Sequence, residues 1–194
     1  MCKIDIRSND GKHRYVFGID GDNPIIIFAL NPSDGKHPRI ELGENYDPTQ
    51  IRIKNITSSN GYDGWIILNL FPEIATYPED LKGIWNRNNE YCRETIETNI
   101  RYIKDILKNY PESDIWATWG NNIEQNRIFI EGFLEIMNII GIKDRNWIYF
   151  DKLNGTGYPK HPLYMKKDVE KTKLTEIQLN NCIKNVSKLR FKRT

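Results

Sequence analysis

Three side chains carry most of the chemistry this sequence can offer: Asn31, Asn69 and His161. Asn31 follows the apolar run Ile25 to Leu30 and precedes Pro32 and Ser33. The proline holds Asn31 extended, so its amide either leaves the end of a strand or folds back onto its own backbone as a turn residue. Asn69 is the one strongly polar residue in Trp65 to Phe71, WIILNLF. An amide inside an apolar strand needs hydrogen-bond partners on its donor and acceptor sides, or it costs about 1 to 3 kcal/mol. A neighbouring loop would serve, and so would a ligand with a complementary edge, such as a nucleobase. His161, between Lys160 and Pro162, is either an ordinary loop histidine or a group that donates to developing negative charge or moves a proton. Ser33 has no sequence partner marking it as a nucleophile, and there is no GxSxG. Gly155-Thr156-Gly157 is too short for a phosphate loop.

Strands and helices must bring these residues together. Ile25 to Leu30 and Trp65 to Phe71 are apolar at successive positions, which is the pattern of parallel strands covered on both faces. Asp114 to Trp119 and Trp147 to Phe150 supply two more strands. Arg14 to Ile19, with the turn Asp20 to Asn23, predicts an antiparallel hairpin strand leading into Ile25 to Leu30. Asp47-Pro48-Thr49 opens a helix that stops near Gly61 and carries Arg52, a candidate contact for an anionic group. Ile96, Ile100, Ile103, Leu107 and Tyr110 mark a second helix. Asn121 or Asn122 caps a third, whose apolar face ends at Gly141, and residues 175–191 form an amphipathic last helix with a basic, solvated end. Asp34 to Asn45 is a long loop, of a length often used for function.

The alternation predicts an α/β fold: a three-layer α/β/α sandwich on a mainly parallel four-stranded central sheet, plus the N-terminal hairpin strand. Ligands of such sheets bind beyond the carboxyl ends of the strands. Those ends bring together Asn31-Pro32-Ser33, Asn69-Leu70-Phe71, Trp119-Gly120-Asn121 and the Asp151 to His161 segment. Phe71, Tyr158 and Tyr164 are either core aromatics or stacking walls for a flat ligand.

At 194 residues the chain has room for one core, so a single domain over 1–194 is expected, with the motifs in 14–164. A net charge of +2 is not that of a dedicated nucleic-acid binder, although local patches are compatible with it. Three cysteines with no CxxC and no neighbouring histidine argue against a disulfide framework or a zinc site. No segment approaches the ~20 apolar residues of a membrane helix, and the amino terminus does not read as a signal sequence. The expectation is a cytoplasmic protein with no metal, no cofactor and no membrane partner.

With these residues in view, the chain resembles the family catalogued as domain of unknown function 1643. The resemblance rests on LNPSDG from Leu30 to Gly35, DPT with Arg52 behind it, GYDGWIILNLF from Gly61 to Phe71, Ala75-Thr76 with Pro78, Trp119-Gly120, and HPLY from His161 to Tyr164. More distantly, NP after one strand, Asn closing the next, WG after the third and HP after the fourth is similar to the uracil-DNA glycosylases and their relatives. That resemblance implies that Asn31 positions a hydrolytic water, Asn69 reads a base edge, Phe71 stacks on the base, and His161 stabilises the leaving base. Pro32, Ser33, Trp119, Asn121 and Tyr164 complete the expected binding surface, with Arg52 as anion contact. The expected ligand is a nucleobase, free as a nucleotide or within nucleic acid, with hydrolysis of an N-glycosidic bond as the reaction. The rival expectation is a non-catalytic module that binds a nucleotide or small molecule on the same fold.

Overall fold

The computed structural model describes residues 2–33, 46–140 and 145–191. Its strands are β1 (Lys3–Arg7), β2 (Arg14–Ile19), β3 (Pro24–Ala29), β4 (Gly64–Asn69), β5 (Ile115–Ala117), β6 (Trp147–Phe150) and β7 (Lys171–Lys173). Five helices accompany them among the described residues: α1 (Pro48–Ser59), α2 (Ile84–Arg87), α3 (Asn89–Asn109), α4 (Arg127–Ile140) and α5 (Glu176–Arg190). All strands join one mixed sheet in the order β1-β2-β4-β3-β5-β6-β7.

The four uninterrupted apolar runs form the parallel centre of that sheet, β4-β3-β5-β6. Every residue of β3 and β4 is buried, because both faces are covered. Ile26, Phe28, Ile66, Leu68 and Ala117 turn to one face and join Ile103 of α3, Phe133 of α4 and Leu179 of α5. Ile25, Ile27, Trp65, Ile67 and Trp116 turn to the other and meet Ile53 and Ile56 of α1. The period of two along each strand thus divides one sheet between two cores.

The sheet is larger than the four strands and hairpin strand expected. β1 and β7 are the additions, one at each edge. The hairpin expectation is also corrected: β2 pairs antiparallel with β1 and with β4, so β4 lies between β2 and β3. The turn after β2 passes under the start of β4 instead of folding back as a tight hairpin. Asp63 holds it there, accepting from the amides of Asp22 at 3.0 Å and Asn23 at 2.8 Å. Gly64 makes the crossing possible, since a Cβ at that position would lie 2.7 Å from the Ile19 carbonyl oxygen.

Asp47 caps α1 as expected, with Pro48 at its first position and a reciprocal bond to Gln50. The helix expected to start at Asn121 or Asn122 begins later. Residues Asn121–Gln125 form a 3-10 turn, and Asn126 accepts from the Ile128 amide at 3.4 Å just ahead of α4. Thr175 caps α5 with a capping box to Gln178. The expected Asp34 to Asn45 loop, with Gly35 of the LNPSDG motif, and the Gly141 stop lie outside the described residues. Among the described residues no helix is long and apolar enough to cross a membrane.

The connections leave the centre of the sheet in opposite directions. β3 runs through α1 to β4 on one face, whereas α3 and α4 lead to β5 and β6 on the other. β3 and β5 therefore flank the point where the winding reverses, and a crevice opens beyond their carboxyl ends.

Candidate functional site

A cavity of about 310 Å³ occupies that crevice. Its floor is the end of β3 and the residues just beyond it, Ala29 to Ser33, together with Ile67 and Asn69 of β4. One wall is the first turn of α1, with Asp47, Thr49 and Gln50; another is the segment Ala75 to Pro78; a third is His161 to Tyr164. This is the size at which small-molecule sites begin, and its lining mixes apolar surface with a few convergent polar groups.

Asn69 is the last residue of β4 and points to the α1 side with Trp65 and Ile67, four and two positions before it. It is 1% exposed. Its side-chain oxygen is buried without a hydrogen-bond partner. The backbone is fixed: Leu70 donates to the Ala29 carbonyl at 2.9 Å, and the Asn99 amide on α3 donates to the Asn69 carbonyl at 2.7 Å. A buried acceptor left open on a rigid strand end costs about 1 to 3 kcal/mol, which a ligand donor would offset.

His161 caps the 3-10 turn Pro162–Tyr164, and its Nδ1 accepts from the Leu163 amide at 3.3 Å. With Nδ1 accepting, the neutral ring carries its proton on Nε2, which is left to donate. Burial pushes the imidazole down to about 4 from its ordinary value of 6.5, so the ring is neutral at physiological pH. Two features seat it. Trp119 is fully buried against Phe133 and Trp147, and Gly120 behind it has φ 60, where a side chain would be strained. The Gly120 amide then donates to the Pro159 carbonyl at 3.0 Å, and the position a Gly120 Cβ would take lies 3.7 Å from the His161 Cβ. Asp151, with φ 64, opens the loop and pairs with Lys160 at 2.5 Å.

Asn31 lies at the cavity floor with its amide nitrogen committed, donating to the carbonyls of Ala75 at 2.9 Å and Pro32 at 3.2 Å. The Ala75 amide returns a bond to Pro32 at 2.9 Å. The NPS stop is therefore a clasp on the wall segment, with the Asn31 side-chain oxygen on the other side of the amide.

The structure brings Asn31, Pro32, Ser33, Asn69, His161 and Tyr164 to one cavity. Four other expected residues lie elsewhere. Phe71 and Trp119 are both 0% exposed in the α3/α4 core, so neither presents a ring to a ligand. Asn121 does not line the cavity: its side chain accepts from Asn154 at 3.0 Å and Thr156 at 2.7 Å, tying two loops together, and Asn122 lines it instead. Arg52 of α1 is not among the lining residues; among the described lining residues the cation is Arg14. Tyr158 is buried and donates to Glu124 at 2.8 Å, whereas Tyr77 and Tyr164 are exposed at the rim.

Arg14 is a site residue that sequence reasoning misses. It opens an apolar strand, where a charge reads as a flank, yet it is 7% exposed, with its guanidinium 4.9 Å from the Phe17 ring centroid. Gln50 and Tyr77 are missed as well; no periodic signal distinguishes them from a helix turn and a loop.

Among the described residues no group of three or more His, Cys, Asp or Glu side chains is placed to hold a metal ion. Cys92 and Cys182 are buried thiols, and Cys2 is exposed.

Comparison with known protein families finds a match, over residues 14–163, to a family described as "Protein of unknown function (DUF1643)". No curated protein and no solved structure matches the chain.

Proposed function

For a chain that belongs to the family of proteins of unknown function DUF1643, we propose that the cavity recognises a nucleobase and that hydrolysis of an N-glycosidic bond is its reaction. The observation that carries this reading is the open side-chain oxygen of Asn69, buried at the end of β4 among residues that line the cavity. Its amide offers an acceptor and donors in one plane, the pattern needed to read a base edge. The edge of a nucleobase supplies the matching donor.

In the hydrolysis, water oxygen bonds to the anomeric carbon as the bond from that carbon to the base nitrogen breaks. The bonding pair leaves with the base as an anion, and the water proton passes to solvent or to the base. The neutral His161 ring donates from Nε2 to the developing oxyanion of the base, and its low basicity keeps it a donor without becoming a cation. The Asn31 side-chain oxygen, oriented by its amide's bond to Ala75, holds the water. The order of Asn31 after β3, Asn69 at the end of β4 and His161 after β6 supports this assignment.

A second reading, a non-catalytic nucleotide-binding module, is favoured by one observation. Asp47, the only carboxylate among the described lining residues, accepts from the Gln50 amide as the cap of α1, so no carboxylate free of such a bond stands among the described lining residues to act as a base.

The test is thermal stability across nucleobases, nucleosides, nucleotides and short uracil-containing oligonucleotides, followed by product analysis of each hit. Saturating ligand raises the unfolding temperature by a few degrees. Asn69→Ala keeps the fold and loses that shift; an undiminished shift would sink the reading. Release of free base identifies the hydrolase, and ligand recovered intact identifies the binding module.

A further inference from the structure

We infer that the ligand carries an anionic group seated on Arg14, and that the substrate class is therefore a nucleoside monophosphate more than a free base or nucleoside. The inference rests on the nucleobase reading for the rest of the ligand, but its own ground is the state of this guanidinium.

Arg14 lines the cavity and is almost fully buried, yet two of its three nitrogens are poorly matched among the described residues. Its Nε has no hydrogen-bond partner. One terminal nitrogen reaches the Ser33 carbonyl at 3.5 Å, the outer limit of such a bond. The Asp5 carboxylate stands 3.6 Å from Nε, close enough for attraction and too far for a hydrogen bond. That carboxylate is already held at 2.9 and 3.1 Å by both arms of the Arg7 fork. Asp47, the other carboxylate near it among the described residues, accepts from the Gln50 amide at 2.9 Å as the cap of α1.

A guanidinium out of water needs a partner in its own plane, and truncated pairing of buried charge is costly. Burial pulls Arg14 below its ordinary pKa, with Arg7 adding to the shift and Asp5 and Asp47 opposing it. The first turn of α1, through Thr49 and Gln50, faces the same cavity and adds the positive end of a helix. A phosphate there would take the planar fork of Arg14 at one end of the cavity while Asn69 holds the base. A terminal phosphate suits so enclosed a seat better than the diester of a polymer, whose chain must leave in two directions.

The experiment is calorimetric titration of the full chain with four ribonucleosides, their 5′-monophosphates, inorganic phosphate, and a dinucleotide whose one phosphate is a diester. Wild type, Arg14→Gln and Arg14→Lys are compared, with unfolding curves to establish that each variant folds. At least one monophosphate should bind about tenfold or more tightly than its nucleoside, and Arg14→Gln should abolish that preference. Should Arg14→Gln fail to fold, Arg14→Lys carries the test: lacking the planar fork, it must lower the preference severalfold, and an undiminished preference overturns the inference. Equal binding of nucleoside and monophosphate, with selectivity among bases intact, overturns the anion seat and leaves the nucleobase reading standing. Arg14-dependent binding of phosphate and of all monophosphates alike supports the seat and sinks the nucleobase reading. Arg14-dependent binding of the dinucleotide as tight as any monophosphate supports the seat and makes a diester its occupant. No binding by any of these ligands overturns the inference.

Discussion

Asn99, buried on α3, donates its side-chain amide to the backbone carbonyl of Asn69 at 2.7 Å. The strand end that presents Asn69 to the cavity is thus held by a helix on the opposite face of the sheet. The pairing of β4 with β2 ends at Leu68, opposite Val16, and the Asn69 carbonyl takes its hydrogen bond from this side chain instead. Asn99→Leu leaves that carbonyl unsatisfied and should destabilise the protein by about 1 to 3 kcal/mol. Urea unfolding measures the loss, and an unchanged midpoint would mean that water replaces the amide.

The His161 ring gives a pH signature. Its folded-state pKa, about 4, is below the 6.5 of the free side chain, so as pH falls the unfolded chain takes up the proton first. The stability contributed by the neutral ring is complete above pH 6.5 and is lost between about 6.5 and 4. His13, also held down by burial, acts in the same direction. His161→Gln keeps an acceptor for the Leu163 amide and should show a smaller fall in unfolding temperature between pH 7 and 4.5 than wild type. An equal fall in both would show that the His161 ring is not desolvated.

Gly132 lies in the middle of α4, where alanine is the better helix former by about 1 kcal/mol. A Cβ there would, however, press into the carbonyl of Leu70, the residue after Asn69. That carbonyl belongs to backbone fixed by the Leu70 bond to Ala29 at 2.9 Å, so it cannot give. Overpacking of about 1 to 3 kcal/mol outweighs the propensity gain, and Gly132→Ala should be net destabilising in denaturant titration. A stabilised variant would show that α4 can shift away from β4.

Asp47 both caps α1 and lines the cavity. Asp47→Ala should cost about 1 kcal/mol through the lost cap. Asp47→Ser keeps a capping oxygen without the charge and should recover most of that stability. If Arg14 seats an anion, Asp47→Ser should also tighten binding of a monophosphate while leaving its nucleoside unchanged, as titration of the same pair would show.

The parts of this fold legible in the sequence are those decided locally. Continuous apolar runs at Ile25 to Leu30 and Trp65 to Phe71 define strands whose two covered faces leave no room for alternation, and Asp47-Pro48 marks a helix start by its own chemistry. Asn69 is visible for the same reason, as a polar residue where only apolar ones pack. Pairing is not legible. β7 is three exposed residues, KTK, and β1 alternates charged and apolar residues at an edge, so each is a strand only because a neighbour offers its backbone. The place of β4 between β2 and β3 depends on Asp63 holding a turn some forty residues earlier in the chain. Arg14 escapes a sequence reading because burial of a cation depends on what surrounds it in space. Phe71 and Trp119 are misplaced by such a reading because an aromatic at a strand end has two faces to choose from.

The two outermost strands have a consequence for how molecules of this protein meet. One edge of the sheet carries Lys3, Asp5 and Arg7, and the other Lys171, Thr172 and Lys173. Both present unpaired backbone that a neighbouring molecule's strand would otherwise extend. Two copies approaching through their β7 edges bring lysine against lysine, and at either edge the charged side chains would have to shed hydration to join. The charge that makes these strands hard to recognise thus guards a sheet of seven strands against growing longer in a crowded solution.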